Sequence, residues 1–266
     1  WFAKFDWPRA SIPVIKFPFT DNGYEDLKMR EALSLAQIHQ AFLDNKDDIC
    51  AIIIEPIQSE GGDNHVRQEF LEQLRRIADE NDCLLIYDEV QTGVGLSGKF
   101  WAHEHFGEHA RPDIVAFGKK MQVCGILVGN KVDEIETNVF KVSSRINSTW
   151  GGNLVDMVRS TRILEIIEED NLLANAGICG NYLQEKLVEI SKKNQKIGNV
   201  RGLGLITAFD LPSKEMRDRF ITKGMEQNVM FLGCGENTIR FRPALIIEKN
   251  HIDIGLEVIE KMIPNL

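Results

Sequence analysis

The segment LLIYDEVQTGVGLSGKF spans residues 84–100, and its apolar run ends in two adjacent carboxylates, Asp88 and Glu89. Neighbouring side chains on a strand point to opposite faces of the sheet, so these two carboxylates cannot act on one substrate atom. A buried carboxylate is tolerated when it is paired or strongly hydrogen-bonded. The segment therefore predicts a cationic partner, and the candidate region is Gly118-Lys119-Lys120, which follows the next apolar run.

The pattern around this segment predicts an α/β fold. Strands that are apolar throughout alternate with helices, which is typical of a parallel sheet covered on both faces. Ligands of such sheets bind at the carboxyl ends of the strands, where Glu55, Asp88 and Lys119 fall. The predicted strands are 49–56, 83–90 and 112–117, and the predicted helices are 27–42 and 70–77.

The second half of the chain has a different character. Helical periodicity covers residues 153–167 and 172–190, and short strands are predicted at 203–209, 228–232 and 238–241. We therefore expect two domains. The first is a partial large α/β domain over residues 1–169, and the second is a smaller C-terminal α+β domain over residues 170–266.

Composition narrows the class of protein. The chain has 266 residues, of which 43% are hydrophobic, enough for a globular core. Its net charge of -9 argues against binding to nucleic acid or to an anionic membrane, and no apolar run approaches the length of a membrane span. Five scattered cysteines without a CxxC pair are typical of reduced thiols, which predicts a cytoplasmic location.

Three motifs have competing interpretations. GVGLSG, residues 93–98, matches the dinucleotide fingerprint, but a diphosphate there would lie next to Asp88 and Glu89. GVGLSGK resembles a phosphate-binding loop, but Phe100 stands where the metal-binding hydroxyl is required. HFGEH, residues 105–109, matches the HxxEH zinc-binding motif, which requires both histidines on one face of a helix. Gly107 weakens such a helix, so we expect a polar surface turn and no metal site.

Taken together, YDEVQTGVGLSGKF, PDIVAFGKKM and NSTWGGN closely resemble the class III aminotransferases, pyridoxal phosphate enzymes of fold type I. The resemblance runs from EPIQSEGGD, residues 55–63, to IRFRPAL, residues 239–245. Within the class, residues 122–140 and 143–159 are most similar to L-lysine 6-aminotransferases. EPIQSEGGDNH and GKFWAHEH are also similar to 4-aminobutyrate aminotransferases, which makes 4-aminobutyrate the alternative amino donor.

The resemblance implies a role for each residue near the strand ends. Lys119, and not Lys120, would form the Schiff base with the cofactor and then move the proton between substrate and cofactor. Asp88 would bind the pyridine nitrogen of the cofactor. Gln91 would hydrogen-bond its phenolic oxygen, and Val90 would pack against the ring.

The resemblance also implies a substrate gate and a shared site. Glu60 would mask Arg240 while an ω-amino substrate is bound and move aside for a keto acid, with Arg242 as the weaker candidate for the arginine. Asn147 would contact substrate, and Thr149 would reach the cofactor phosphate of a partner subunit, which implies a homodimer.

The activity implied is transfer of the ε-amino group of L-lysine to 2-oxoglutarate, giving 2-aminoadipate 6-semialdehyde and L-glutamate. A non-catalytic scaffold that retains the fold is the alternative from another class, although it would need neither Lys119 nor Asp88. The family's phosphate-binding turn, ring-stacking aromatic and distal arginine would lie upstream of Trp1. We therefore expect the chain to be a fragment without its N-terminal part.

Overall fold

The computed structural model describes residues 5–266, and its strands form two four-stranded sheets and one short hairpin. The seven α-helices of the described residues are α1 Asp21–Asp44, α2 Gln68–Glu80, α3 Asn130–Asp133, α4 Leu154–Glu169, α5 Leu172–Lys193, α6 Lys214–Glu226 and α7 Lys249–Met262. The strands are β1 Ala51–Ile54, β2 Ile57–Gln58, β3 Asn64–His65, β4 Leu84–Asp88, β5 Ile114–Phe117, β6 Gly125–Val128, β7 Gly198–Leu203, β8 Ile206–Asp210, β9 Leu232–Cys234 and β10 Thr238–Phe241.

The first sheet, which we call the large sheet, confirms the predicted α/β class. Its order is β1-β4-β5-β6, and β1, β4 and β5 are parallel, as their apolar sequences predict. The edge strand β6 runs antiparallel to β5, so the sheet is mixed and not purely parallel. The carboxyl ends of β4 and β5 lie side by side, with Asp88 paired to Ala116.

Helix α2 covers one face of the large sheet. Leu85 and Tyr87 of β4 point to that face and pack with Phe70 and Leu74 of α2 in one buried cluster. The opposite face is less covered, since Ile53 of β1 is 65% exposed. The prediction that both faces are covered is therefore wrong for the described chain. Continuous apolar sequence did not distinguish the covered face from the uncovered one.

The second sheet, which we call the small sheet, is antiparallel and has the order β7-β8-β10-β9. The single strand predicted at 203–209 is a hairpin, because Gly204 takes a left-handed φ of 57° between β7 and β8. A Cβ on Gly204 would lie 2.5 Å from the main chain of Ser97, which leaves space only for glycine.

The strand predicted at 228–232 is also wrong. Helix α6 ends there in a Schellman cap, in which Asn228 is left-handed with a φ of 59°. The Val229 amide donates to the Gly224 carbonyl (2.9 Å), and the Asn228 amide donates to the Met225 carbonyl (3.0 Å). Apolar residues after such a cap pack back on the helix, and β9 begins only at Leu232.

The remaining predicted helices form with longer bounds. Helix α1 begins at Asp21 because the Thr20 side chain caps the Gly23 amide (3.1 Å). The acidic run that follows Ile167 ends α4, and Arg162 pairs with Glu169 on its surface. No helix of residues 5–266 is both long and apolar enough to cross a membrane. The cytoplasmic location stays a prediction.

The largest buried cluster lies around the small sheet and joins α5, α6 and α7 to it. Ile57, Leu96 and Ala102 from the first half of the chain also enter this cluster. The division into residues 1–169 and 170–266 therefore stays a prediction, although all four strands of the small sheet lie after residue 170.

Candidate active site

Asp88 stands at the carboxyl end of β4 and is half-buried. Its Oδ1 accepts a hydrogen bond from the Val90 amide (3.0 Å), and its Oδ2 receives none from the described residues. One carboxylate oxygen is thus held by the main chain, and the other is available to a cation.

Glu89 has a different role, since only 1% of it is exposed. Its carboxylate accepts from the Thr92 hydroxyl (3.0 Å), from the Ala102 and His103 amides (both 2.8 Å), and lies 2.8 Å from His103 Nδ1. The two amides belong to the first turn of the 3-10 helix Ala102–Phe106. Glu89 therefore fixes this helix against the strand end, and the two amide donors lie 13 and 14 residues further along the chain.

We expect Glu89→Gln to destabilise the fold by about 1–3 kcal/mol, because the amide replaces one buried acceptor oxygen with a donor. The matched control is Glu104→Gln, whose carboxylate caps the Trp101 amide of the same 3-10 helix on the surface (2.7 Å) and should lose less than about 1 kcal/mol. Urea unfolding of both variants measures the difference. Equal losses would show that the buried network contributes nothing of its own.

The two lysines after β5 point to different partners. Lys119 is exposed, takes a left-handed φ of 47°, and its Nζ contacts the Gln91 side-chain oxygen. Lys120 is more buried, and its Nζ donates to the Gln91 main-chain carbonyl (2.8 Å). Burial, with the nearby charges of Arg242 and Lys119, lowers the pKa of Lys120 to about 8. Lys120 is thus fixed to the main chain, while Lys119 faces the open strand end.

Glu55 is a further carboxyl group near this strand end. The sequence pattern predicted its position at the end of a strand but indicated no role for it. Its Oε2 accepts from the Ser59 amide (2.9 Å). Burial raises its pKa; the charge of Asp88 raises it further and that of Lys119 opposes it. Glu55, Asp88 and Lys119 lie at or just after the carboxyl ends of β1, β4 and β5, which are neighbours in the large sheet.

The structure brings Glu60 and Arg240 together. Glu60 Oε1 lies 2.6 Å from Arg240 Nη1, although the contact is an ion pair without hydrogen-bond alignment. The Arg240 side chain is 12% exposed and that of Glu60 is 68% exposed. Arg240 is therefore fixed in β10, while the glutamate side chain has room to move.

Arg242, the weaker candidate for the arginine, is occupied elsewhere. Its Nη1 donates to Asp63 Oδ2 (2.9 Å), its Nη2 contacts the other carboxylate oxygen, and only 8% of its side chain is exposed. This bidentate pair leaves Arg240 as the arginine that a substrate carboxylate could reach.

The other predicted site residues are less engaged. Val90 lies beside Gly118, with its Cγ1 3.5 Å from where a Cβ on that glycine would stand. Asn147 and Thr149 lie in the exposed segment between α3 and α4, and neither side chain forms a hydrogen bond with the described residues. Their predicted roles stay predictions.

The motifs with competing interpretations form turns. GVGLSG forms a turn in which Gly95 and Gly98 have φ values of 92° and 89°. A dinucleotide fingerprint would require an α-helix directly after this turn, but the next element is a 3-10 helix. The 3-10 helix at Ala102–Phe106 ends before Gly107, so HFGEH presents no continuous helical face. Residues 5–266 contain no group of three side chains placed to hold a metal ion.

Comparison with known proteins identifies related sequences and structures. The aminotransferase class-III family model matches residues 3–263. The L-lysine-epsilon aminotransferase of Mycobacterium tuberculosis is 45% identical over 264 residues, 99% of this chain and 58% of that protein. The 4-aminobutyrate aminotransferase of Emericella nidulans is 40% identical, over 98% of this chain and 51% of that protein.

A solved structure gives the same result. Lysine aminotransferase from M. tuberculosis in the internal aldimine form has a TM-score of 0.94 and 44% identity, covering 99% of this chain and 60% of that one. The chain thus spans about three fifths of the lysine relatives it matches.

Proposed function

The chain belongs to the class-III aminotransferases, which use pyridoxal phosphate, and from this premise we propose that its protein moves the ε-amino group of L-lysine to 2-oxoglutarate. The products would be 2-aminoadipate 6-semialdehyde and L-glutamate. The observation that carries this proposal is the Glu60–Arg240 pair. An ω-amino donor would place an aliphatic chain beside Arg240, whereas an α-keto acid would place a carboxylate there, so the charge of the arginine has to be masked for one substrate and available for the other. The greater identity to the lysine relatives favours lysine over 4-aminobutyrate.

The residues present fit the cofactor. The Asp88 Oδ2 atom, which accepts no hydrogen bond from the described residues, is suited to pair with a protonated ring nitrogen. The exposed Lys119 suits an aldehyde, and the Gln91 amide beside it suits a phenolic oxygen. When bound, pyridoxal phosphate supplies an electron sink for the substrate carbon. Lys119, Asp88, Gln91 and Val90 would hold it.

Each residue then has a defined task. The Lys119 amine, which is exposed at the strand end, would take a proton from the substrate carbon and deliver it to the cofactor. Asp88 keeps the proton on the ring nitrogen. Lys120 binds the Gln91 carbonyl and so fixes the backbone that carries the Gln91 side chain.

The Glu60–Arg240 pair sorts the two substrates. L-Lysine presents an aliphatic chain near Arg240, and Glu60 neutralises the arginine while this donor is bound. 2-Oxoglutarate presents a carboxylate at the same place, so the exposed Glu60 side chain moves aside and Arg240 binds the keto acid. Arg242 stays bound to Asp63 during both half-reactions.

We expect Glu60→Ala to slow the half-reaction with L-lysine by about fivefold to a hundredfold, because Arg240 then stays unpaired beside an aliphatic chain. The half-reaction with glutamate should change little. Single-turnover rates of each half-reaction, followed by cofactor absorbance in the holoenzyme, test this.

The matched control is Glu236→Ala, which removes an exposed carboxylate next to the same strand and should leave both rates near normal. Truncation of Arg240 should give the opposite split, with the keto acid poorly held. Equal slowing of both half-reactions by Glu60→Ala would contradict the gate and make Glu60 a structural carboxylate.

We also propose a homodimer, in which Thr149 reaches the cofactor phosphate of the partner subunit. An exposed apolar surface beside Thr149 supports this proposal. It consists of four residues that are between 72% and 81% exposed: Trp150, Leu154, Val155 and Val158. Val155→Glu should shift the protein toward monomer in analytical ultracentrifugation, because a charge would enter the interface. Unchanged sedimentation would place the interface elsewhere.

A further inference from the structure

The turn that carries Glu60 is closed by its own main chain. The Gly62 and Asp63 amides both donate to the Ser59 carbonyl (3.1 and 3.0 Å), and the Ser59 amide donates to the Glu55 carboxylate (2.9 Å). We call residues 59–63 the gate turn. The carbonyl groups of Glu60, Gly62 and Asp63 point outward, toward the small sheet.

Two positions of the small sheet bind these carbonyl groups. Arg201 of β7 donates from Nε to the Asp63 carbonyl (2.8 Å) and from Nη2 to the Gly62 carbonyl (2.6 Å). The Gly235 amide, between β9 and β10, donates to the Glu60 carbonyl (2.9 Å). The gate turn is thus held at three carbonyl groups from outside.

Arg201 has no capacity left for a substrate. Only 1% of it is exposed. Its Nη1 donates to the Asn199 carbonyl (2.6 Å), and its Nη2 also lies within hydrogen-bond distance of Asp210 (2.8 Å) and the Thr238 hydroxyl (3.2 Å). An arginine that is buried to this degree, with all three nitrogens engaged in the protein, presents no accessible donor to a ligand carboxylate. It can act only by fixing the main chain that it contacts.

Gly235 connects the two halves of the gate. Arg240 lies on β10, directly after the turn that contains Gly235, so one hairpin holds both the arginine and the Glu60 main chain. A Cβ on Gly235 would lie 2.9 Å from the Gly62 Cα and 3.0 Å from the Gly61 carbonyl oxygen. The close approach therefore requires glycine at this position.

We propose that Arg201 and Gly235 are positioning residues of the gate: they fix the main chain of residues 59–63 against the small sheet, so that opening is a rotation of the Glu60 side chain alone. This inference rests on the gate of the proposed function. It adds that Glu60 masks Arg240 only while the β9–β10 hairpin and the gate turn keep their relative position. The charge pair alone would not be sufficient when an ω-amino donor is bound.

The test is Gly235→Ala, which pushes the gate turn away without removing a charge. The half-reaction with L-lysine should slow about tenfold while that with glutamate changes little, as for Glu60→Ala. The matched control is Gly107→Ala, because Gly107 also has a positive φ (73°, compared with 52° for Gly235), but a Cβ there would meet only the Gln68 side chain, at 3.4 Å. Both half-reactions of the control should stay near normal.

A binding measurement separates positioning from general loss of structure. Glutarate, an unreactive dicarboxylate, should bind Gly235→Ala about threefold to tenfold tighter by calorimetry, because Arg240 is unmasked. Adding Gly235→Ala to Glu60→Ala should change neither the rates nor glutarate binding further. Weaker glutarate binding, or additive losses, would overturn the proposal.

Arg201→Lys provides a second test, since it keeps the charge that faces Asp210 but cannot bind both carbonyl groups of the gate turn. It should show the same split between half-reactions, to a smaller degree, and equal slowing of both would overturn the proposal. If Glu60→Ala itself shows no split, the gate of the proposed function fails. If only Glu60→Ala shows it, the gate stands and the positioning role fails.

Discussion

Lys119→Ala should abolish transamination, whereas Lys120→Ala should keep most of it. Loss of a positioned base alone costs about 10²–10⁴ in rate, and Lys119 would also be the covalent attachment of the cofactor. The physical distinction is exposure. Lys119 is exposed at the strand end, while Lys120 is held by the Gln91 carbonyl at 2.8 Å.

The lowered pKa of Lys120 argues for the opposite assignment, because catalytic lysines often have such values. Burial is its main cause, however, and a buried lysine that donates to a main-chain carbonyl is not free to meet a substrate. Borohydride reduction of the holoenzyme followed by peptide mapping decides between them. Cofactor attached to Lys120 would overturn the assignment.

Asp88→Asn should fold and bind the cofactor but lose about two orders of magnitude in rate, equivalent to roughly 2.7 kcal/mol. Asparagine keeps the shape and the acceptor for the Val90 amide but removes the charge that holds a proton on the ring. Two unit charges about 3 Å apart attract by roughly 5–6 kcal/mol at an effective dielectric near 20, before desolvation.

Glu55→Gln is the matched control for Asp88→Asn. Glu55 is a neighbouring carboxyl group, and burial already raises its pKa. Removing its charge should therefore lower the rate by less than about tenfold. Turnover and the pH titration of cofactor absorbance measure both variants. Near-normal turnover of Asp88→Asn would mean that another group serves the ring nitrogen.

Sequence patterns predicted the parts of the structure that depend on local chemistry. The apolar runs that contain β1, β4 and β5 are long and bounded by Pro, Gly or charge, so their strands and the position of Asp88 could be found. The rule that neighbouring strand residues face opposite ways correctly separated Asp88 from Glu89. It could not identify the amide groups that bind Glu89, because the first of them lies 13 residues away in another turn.

Apart from the Glu60–Arg240 pair, which the family resemblance implied, the long-range contacts could not be predicted from the sequence. Arg201 reaches Asp63 across 138 residues, and Arg242 reaches the same residue across 179, with no spacing that marks either pair. The β7–β8 hairpin was missed because its turn depends on Gly204 fitting against Ser97, a tertiary contact. Apolar residues after α6 suggested a strand because burial alone does not distinguish a capped helix end from a strand.

The central claim is that the protein transfers the ε-amino group of L-lysine to 2-oxoglutarate, and isotope transfer tests it directly. The holoenzyme is given 2-oxoglutarate and L-lysine that carries heavy nitrogen at either its ε or its α position, and the glutamate formed is analysed by mass spectrometry. The account predicts heavy glutamate from the ε-labelled donor and unlabelled glutamate from the α-labelled one. Heavy glutamate from the α-labelled donor, or no glutamate from lysine at all, would contradict it.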